Sequence, residues 1–193
     1  MSLVCISLPQ STPASLERLK QYLRIHHDHD DDLLKELVGA AGHWVEQYTG
    51  RSLIHQTWQL TKNFMDPALK SEGGLGGGKA PHFHCAIRLP KVPIVDVVSV
   101  TRSQKTVTYI EAEQGVWTHI YLKYPLQVGC PISIIFRAGY GQAPENIPEP
   151  IQAAILQLAT DAYCHRESES GGALSAKSAI RNLLAPYRVL RMA

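Results

Sequence analysis

The sequence has almost no excess of charge of either sign. It carries 19 Lys+Arg and 17 Asp+Glu over 193 residues, a formal net charge of +2. Proteins that bind nucleic acid or anionic membranes through general electrostatics carry a strong positive excess. The near-neutral balance therefore gives no overall reason to expect either kind of partner. The first ten residues also lack a basic segment ahead of an apolar one, so we expect no secretory signal.

Cysteine is scarce and scattered. The four cysteines, Cys5, Cys85, Cys130 and Cys164, include no C-x-x-C pair. This pattern is typical of reduced thiols in a cytosolic protein. Long apolar runs are also missing, and none reaches the roughly 20 residues that a membrane-spanning helix needs. We expect no membrane partner.

Catalytic and nucleotide-binding motifs are missing as well. The sequence contains no G-x-S-x-G and no H-E-x-x-H. Gly73, Gly78 and Lys79 match G-x-x-x-x-G-K, but Ala80 stands where a Ser or Thr would hold Mg²⁺. Pro81 follows where a phosphate-binding helix should begin. We therefore predict no catalytic residue, no cofactor and no enzyme activity.

Two groups of side chains could in principle bind a metal. His26, His27 and His29 lie among aspartates, and His82 and His84 share one face of a predicted strand, with Cys85 beside them. Zinc needs about four converging ligands, which neighbouring residues on one turn rarely supply. We interpret the first group as a solvated turn before a capped helix and the second as ordinary strand residues, and we predict no metal site. A metal-binding enzyme that uses the His/Asp/Cys clusters is the alternative.

What the sequence does contain is a strong helical pattern that leads into a strand. Across residues 30–53, apolar side chains recur every three or four residues, the spacing of one helix face. Asp30, Asp31 and Asp32 stand at its start, where a side-chain oxygen can accept a backbone N–H. Gly50 can take the left-handed geometry that ends a helix. From Ile54 onward the side-chain pattern repeats every two residues, which predicts a first strand over residues 53–62.

The remaining pattern places helices at both ends of the chain and strands between them. Residues 11–25 predict a helix with Thr12 as its cap and Pro13 at its first position. Short apolar segments separated by turn residues predict antiparallel strands from 85 to 137. Two further helices follow, one starting near Pro148 and one over residues 175–184 that Pro186 stops. The glycine-rich residues 69–80 predict a mobile loop.

These elements predict an α+β fold. It is a helical bundle, with two N-terminal and two C-terminal helices, into which an antiparallel β meander is inserted. We predict one domain over residues 1–193, helical over 11–50 and 148–190 and β-rich over 53–137. A chain of this length can bury roughly 70% of its unfolded surface, which is enough for a core without disulfides.

Four segments in one order give the chain a family resemblance. They are DHDDDLLKELVGAAGHWVEQYTGRSLIHQTW after an opening helix that ends LRI, then LPKVPIVDVVSV, then ISIIFRAGYGQAPENIPEPIQAAILQLATDAYCHRE, and finally LLAPYRVLR. With these segments the chain resembles the head–tail connector (adaptor) proteins of tailed bacteriophages, a family also labelled as possible DNA-packaging proteins. AGYG before a proline-started helix and LLAPYR near the end are the more specific parts. None of the segments is a catalytic motif.

The resemblance implies a structural role in a virion, reached through the host cytoplasm during assembly. Such proteins form a ring of roughly a dozen copies with cyclic symmetry beneath the portal. The ring extends the DNA channel and docks the next head-completion or tail protein. The expected partners are the portal, those proteins and further copies of the chain, with at most weak non-specific DNA contact. A DNA-packaging accessory protein that binds DNA is the alternative within the same family.

One local charge bias suggests where a partner binds. Residues 173–193 contain four basic residues and no acidic one. Such a cluster usually forms a solvated helix face. Basic residues with no acidic residue among them can also bind a partner. We hypothesise that residues 181–191 contact the portal or a neighbouring subunit. The candidate contact residues are Lys177, Arg181, Tyr187, Arg188 and Arg191.

Overall fold

The chain forms two compact units in the computed structural model, which describes residues 1–63, 85–103, 105–114, 117–122, 131–164 and 173–189. The β-rich unit comprises Met1–Leu8 and Gln56–Ala138, and the helical unit comprises Pro9–His55 and Gly139–Ala193. Each unit has a hydrophobic core of its own. The single domain over residues 1–193 stays a prediction.

The described part of the chain contains four α-helices and eight strands. In chain order they are β1 (Ser2–Ser7), α1 (Leu16–Leu23), α2 (Asp31–Thr49), β2 (Gln56–Lys62), β3 (Cys85–Arg88), β4 (Ile94–Arg102), β5 (Lys105–Thr106), β6 (Tyr109–Gln114), β7 (Trp117–Leu122), β8 (Ile132–Ala138), α3 (Glu149–Cys164) and α4 (Ala173–Leu184). Short 3-10 turns occupy Pro144–Asn146 and Ala185–Tyr187. The predicted α+β class, with two helices on each side of a β-rich segment, is confirmed. The predicted mobile loop at residues 69–80 lies outside the described residues.

The strands of the β-rich unit form two antiparallel sheets. One has the order β1-β2-β8-β4-β5 and the other the order β3-β7-β6. The antiparallel pairing agrees with the sequence pattern. The order differs from a simple meander because β8 lies between β2 and β4, pairing with both. The sequence pattern also missed β1, which adds to the free side of β2.

The core of the β-rich unit follows from the two-residue period of its strands. In β8, Ile132, Ile134 and Phe136 are fully buried, and the residues between them are more exposed. Leu60 and Val100 pair with Ile134 from the two neighbouring strands. Side chains at the same register position point to the same face, so these three form one buried row. The second sheet adds Ile87, Ile120 and Leu122 to this cluster.

The core of the helical unit is built on α2 and α3. Both helices bury residues at three- and four-residue steps, namely Leu34, Val38, Ala41 and Val45 of α2 and Ile151, Ala154, Ile155 and Ala159 of α3. This spacing is the one that a single helix face requires. Gly50 ends α2 with a φ of 75°, and its N–H donates to the Glu46 carbonyl at 3.0 Å. The predicted helix end is therefore observed.

Two helix starts differ from the sequence pattern. The side chain of Asp30 does not cap α2, because its carboxylate accepts a hydrogen bond from the Tyr163 hydroxyl at 2.5 Å. Helix α1 begins at Leu16 and not near residue 13. The hydroxyl of Thr12 donates to the Ala14 carbonyl at 2.8 Å, so residues 12–14 form a turn ahead of the helix.

Candidate partner-binding surface

The C-terminal segment of the helical unit folds back onto the end of α2. Helix α4 stops at Leu184, since Pro186 has no N–H to continue it. The chain then makes one 3-10 turn, and the N–H of Arg188 donates to the Ala185 carbonyl at 3.2 Å. The next N–H, that of Val189, donates to the Thr49 carbonyl at 2.8 Å. This bond uses a carbonyl that the last turn of α2 leaves without a helical partner.

Arg51 holds the segment from the other side. Its Nε donates to the Tyr187 carbonyl at 2.6 Å, and its guanidinium lies 6.0 Å from the centre of the Tyr140 ring. Burial raises the pKa of the Tyr140 hydroxyl, although the nearby Arg51 charge acts in the opposite direction. Arg51 therefore connects the segment to the turn that follows β8.

An aromatic stack continues the same surface along α2. Tyr48 lies parallel to Trp44, with ring centres 5.2 Å apart and an interplanar angle of 4°. The guanidinium of Arg188 lies over the Tyr48 ring at 5.4 Å from its centre. Both rings are half-buried. A cation over a ring face is held by the negative face of the ring, worth roughly 0.5–1 kcal/mol where exposed. We call residues 44, 48–51 and 185–189 the α2–C-terminal surface.

The predicted contact residues divide between this surface and the rest of α4. Tyr187 and Arg188 belong to the α2–C-terminal surface, where they already have contacts within their own chain. Arg181 is exposed on α4. Lys177 lies in α4, but its side chain and the whole of Arg191 are outside what the structure describes. Of the three residues whose side chains the structure describes, two lie on the α2–C-terminal surface and Arg181 lies on α4.

Sequence reasoning missed the residues that hold this segment. Trp44 and Tyr48 are four residues apart, the spacing of residues on one helix face, and both pack partly against the helical core. Arg51 stands directly after Gly50, which marks the end of α2. A basic residue past a helix end can bind backbone carbonyls, but its partner lies 136 residues away in sequence. No local pattern could identify that pairing.

Lys20 forms two ion pairs at the histidine-rich turn, residues 26–31. The ammonium of Lys20 lies 2.5 Å from a carboxylate oxygen of Asp28 and 2.8 Å from one of Asp31. Its hydrogen bond and charge hold the pKa of Asp28 below the ordinary value, and Asp28 and then Asp31 raise the pKa of Lys20. The rings of His27 and His29 lie 5.7 Å apart. Two of the aspartates thus join α1 to the start of α2.

We find no group of three or more His, Cys, Asp or Glu suited to a metal ion among the residues that the structure describes. The second candidate group lies outside them, because His82, His84 and the side chain of Cys85 are not described. In the described residues, no helix is long and apolar enough to cross a membrane.

Comparison with known proteins gives one sequence match. Residues 13–71 match the family described as "Phage gp6-like head-tail connector protein". This segment contains α1, α2 and β2. No curated protein matches the sequence. The match covers the first of the four segments that carry the predicted resemblance, and it confirms the resemblance to this family there.

Solved structures extend the similarity to the whole chain. A chain in the neck of an empty GTA particle, computed with C6 symmetry, is 18% identical, with a TM-score of 0.77 and coverage of 100% of this chain and 98% of that one. A chain in the virion of a native gene transfer agent (GTA) particle is 16% identical with a TM-score of 0.71, and one in the neck of a native GTA particle computed with C12 symmetry is 18% identical with a TM-score of 0.70. Their coverage is also 100% of this chain and 98% of theirs. The chain therefore shares its fold, over its full length, with these chains.

Proposed function

We propose that the chain is a structural subunit of the head–tail connector, and that it assembles as a ring beneath the portal of a phage-like particle. The proposal rests on one observation above all, the match of the entire fold to chains in the necks of GTA particles. The match of residues 13–71 to a head–tail connector family supports it independently at the level of sequence. In this proposal the chain acts as one connector domain over residues 1–193, within the virion.

The proposed ring extends the DNA channel and docks the next head-completion or tail protein. A conduit must let DNA pass, and a channel rich in Lys and Arg would retain DNA by releasing its counterions. The formal charge of +2 over 193 residues suits such a conduit. The role needs no reactive group, so we propose no catalytic residue.

The experiment that tests this role removes the chain during particle assembly. Particles made without it should package DNA into heads but should fail to join tails. Electron micrographs should then show filled or leaking heads and separate tails. Complete particles in normal yield would overturn the proposal. Heads that never fill would instead indicate the packaging accessory role.

We further propose that basic residues near the C-terminus contribute to partner binding, with Lys177 and Arg181 of α4 and, beyond the helix, Arg191 as candidates. Arg181 is the one to test first because its side chain is exposed. Arg188 is less suitable because it packs on Tyr48 of its own chain. Arg181→Glu should lower the yield of complete particles about tenfold, as expected for a reversed charge facing a complementary partner. Lys35→Glu is the matched control, since Lys35 is exposed on α2 and pairs only locally with Asp32. Equal yields from both variants would contradict this surface.

A further inference from the structure

β1 is a single strand that the sequence separates from the rest of its unit. It pairs with β2 inside the β-rich unit, but the residues that follow it, Pro9–His55, all belong to the helical unit. The chain returns to the β-rich unit only at Gln56, the first residue of β2. β1 therefore has no second strand next to it in sequence, and the ladder with β2 is what holds it in the sheet.

The connection that follows β1 is exposed and makes no hydrogen bonds. Leu8, Pro9 and Gln10 are all exposed, and none of them has a hydrogen bond to a residue that the structure describes. The helical unit holds the chain from Ser11 onward, because the Ser11 hydroxyl donates to the Gln142 carbonyl at 2.5 Å. Residues 8–10 can therefore act as a hinge about which β1 turns.

β1 buries little surface in its own sheet. Val4 and Ile6 are 54% and 52% exposed, and among the apolar residues of the strand Leu3 is the one that packs against the described core of the unit. The ladder with β2 is interrupted at Ile6, where the register shifts between Cys5 and Ser7. This interruption lies at the end of β1 next to the hinge. A strand with so few buried apolar contacts opens at a low free energy.

The edge of β2 that β1 covers fits β1 from any copy of the chain. Residues 2–5 face residues 58–61 in continuous antiparallel register, with Leu3 opposite the fully buried Leu60. The other edge of β2 pairs with β8. β1 of a second copy has the same sequence, so it makes the same ladder and the same contacts whenever the first copy's own β1 is away.

We propose that neighbouring copies exchange β1, so that β1 of each copy pairs with β2 of the next copy in the register seen within one chain. The inference rests on the proposed ring and specifies its subunit contact. A ring with cyclic symmetry needs two different and complementary patches on each subunit, and exchange of an identical element is a low-cost way to supply them. β1 and the edge of β2 are such patches, because they already pair within the chain.

The exchange leaves no strand edge uncovered in a closed ring. Every β2 loses one β1 and gains another, so the number of backbone hydrogen bonds stays the same. An incomplete ring has one β2 edge without a strand and one β1 without a partner, and unpaired backbone groups on an edge are unfavourable. The exchange therefore favours closure of the ring.

The reach of β1 and the concentration of copies decide when the exchange occurs. Residues 7–11 span at most about 14 Å when extended, and a six-residue strand adds about 20 Å, which is enough to enter a subunit that touches this one. Free copies gain no hydrogen bond by exchanging, so β1 stays on its own β2. Copies held side by side on a portal have a high effective concentration for each other, and exchange then links them.

A disulfide between β1 and β2 shows which copy supplies β1. Val4 and Gln59 are register partners, and opposed residues of an antiparallel pair have Cα atoms about 4.5–5.5 Å apart, within the range of a disulfide. The test chain carries Val4→Cys and Gln59→Cys, with the four natural cysteines replaced by serine. Rings are assembled on purified portal with reductant, then oxidised and denatured. The exchange predicts covalent chains of many copies, whereas the free chain oxidised alone should give covalent monomers.

Oxidation before assembly provides the second arm. The disulfide then holds β1 on β2 of its own copy, and ring yield counted by electron microscopy should fall about tenfold or more, because each copy lacks a contact that links it to its neighbour. Added reductant should restore the yield. The matched control carries Gln59→Cys and Ile135→Cys, register partners on β2 and β8. Its disulfide leaves β1 free, so the oxidised control should form rings at the yield of the parent chain.

The outcomes separate this inference from the proposed function. Rings that yield only covalent monomers after oxidation would overturn the exchange and leave the connector role standing. Normal ring yield from the chain oxidised between β1 and β2 would overturn it as well, and so would an equal loss in the oxidised control. An absence of rings from the parent chain on the portal would overturn the proposed function itself, and the exchange with it.

Discussion

At the scale of single residues, Gly139 is a position that only glycine can occupy without rearrangement. Its φ is +140°, and a Cβ built there would lie 2.5 Å from the Ile54 carbonyl oxygen and 2.7 Å from the His55 nitrogen. Both neighbours are backbone, held by Tyr140 N–H to Leu53 O at 3.0 Å and by His55 N–H to Gly141 O at 2.9 Å. Gly139→Ala should therefore lower the free energy of unfolding of the helical unit by about 3 kcal/mol or more.

Gly39 provides the control for that substitution. It lies on the exposed face of α2, and an added Cβ would have nothing within 4 Å. Gly39→Ala should raise the free energy of unfolding by about 0.5–1 kcal/mol, because alanine loses less entropy than glycine in a helix. Chemical denaturation of both variants measures the two changes. A Gly139→Ala variant as stable as the parent would contradict the close approach of the Gly139 backbone to the backbone of Ile54 and His55.

We expect His119 to make the stability of the β-rich unit depend on pH. Its Nδ1 is buried and has no hydrogen-bond partner in the described structure. Burial, and then the positive charge of Arg88, lower its pKa below the ordinary 6.5. The folded state thus binds this proton less readily than the unfolded state does, so stability falls as pH drops below about 6.5.

His119→Gln removes this group and tests that pH dependence. The melting temperature of the parent chain should fall between pH 7 and pH 5, and the variant should lose less over the same interval. Thermal unfolding followed at several pH values measures the difference. His43, which is exposed on α2, gives the control His43→Gln, whose pH profile should follow the parent. Identical profiles for all three proteins would exclude His119 as the cause.

At the scale of elements, Arg51 joins the C-terminal segment to the end of α2. Arg51→Ala removes the hydrogen bond to the Tyr187 carbonyl, and a bond from a charged donor is worth roughly 1.5–3 kcal/mol. The neighbouring bond from the Val189 N–H to Thr49 should then open more often. Hydrogen exchange at Val189 should become about tenfold faster or more, while amides of β8 keep their rate.

Arg181→Ala is the control for this element. Arg181 is exposed on α4, so its removal should leave exchange at Val189 unchanged. If Arg51→Ala also leaves that exchange unchanged, the segment is held by other contacts, such as Arg188 on Tyr48.

Elements with a strong local period could be predicted from the sequence, and those that depend on distant partners could not. α2 was predicted closely because its apolar spacing and Gly50 define both its face and its end. β1 was missed because residues 1–8 are almost uniformly apolar or small and show no clear alternation. The place of β8 between β2 and β4 depends on pairings between residues far apart in sequence, such as Gln59 with Ile135.

The candidate surface was predictable only in part for the same reason. The excess of basic residues near the C-terminus is visible in the sequence. Tyr187 contacts Arg51, just past the end of α2, and Arg188 contacts Tyr48 of α2. Both are tertiary contacts within the chain, which no local sequence pattern shows. Among the predicted residues 181–191, Arg181 is therefore the first to test, because its side chain is exposed on α4.

At the scale of the whole molecule, the proposed function requires shape and association with copies of the same chain, and no reactive group. The fold agrees over its full length with chains in the necks of GTA particles. Val4 and Ile6 of β1 and Val95 and Val98 of β4 are exposed. Asp28 and Asp31 pair with Lys20 inside the helical unit. The proposed function requires the chain to assemble into a ring.

The mass of the complex that the chain forms with a purified portal ring tests this requirement directly. Native mass spectrometry should show the free chain as a monomer at low concentration. On the portal, the added mass should correspond to a closed set of copies, one ring of the chain per portal ring. A portal that gains no mass, or that gains single copies without closing a ring, would contradict the proposed assembly of the chain into a ring.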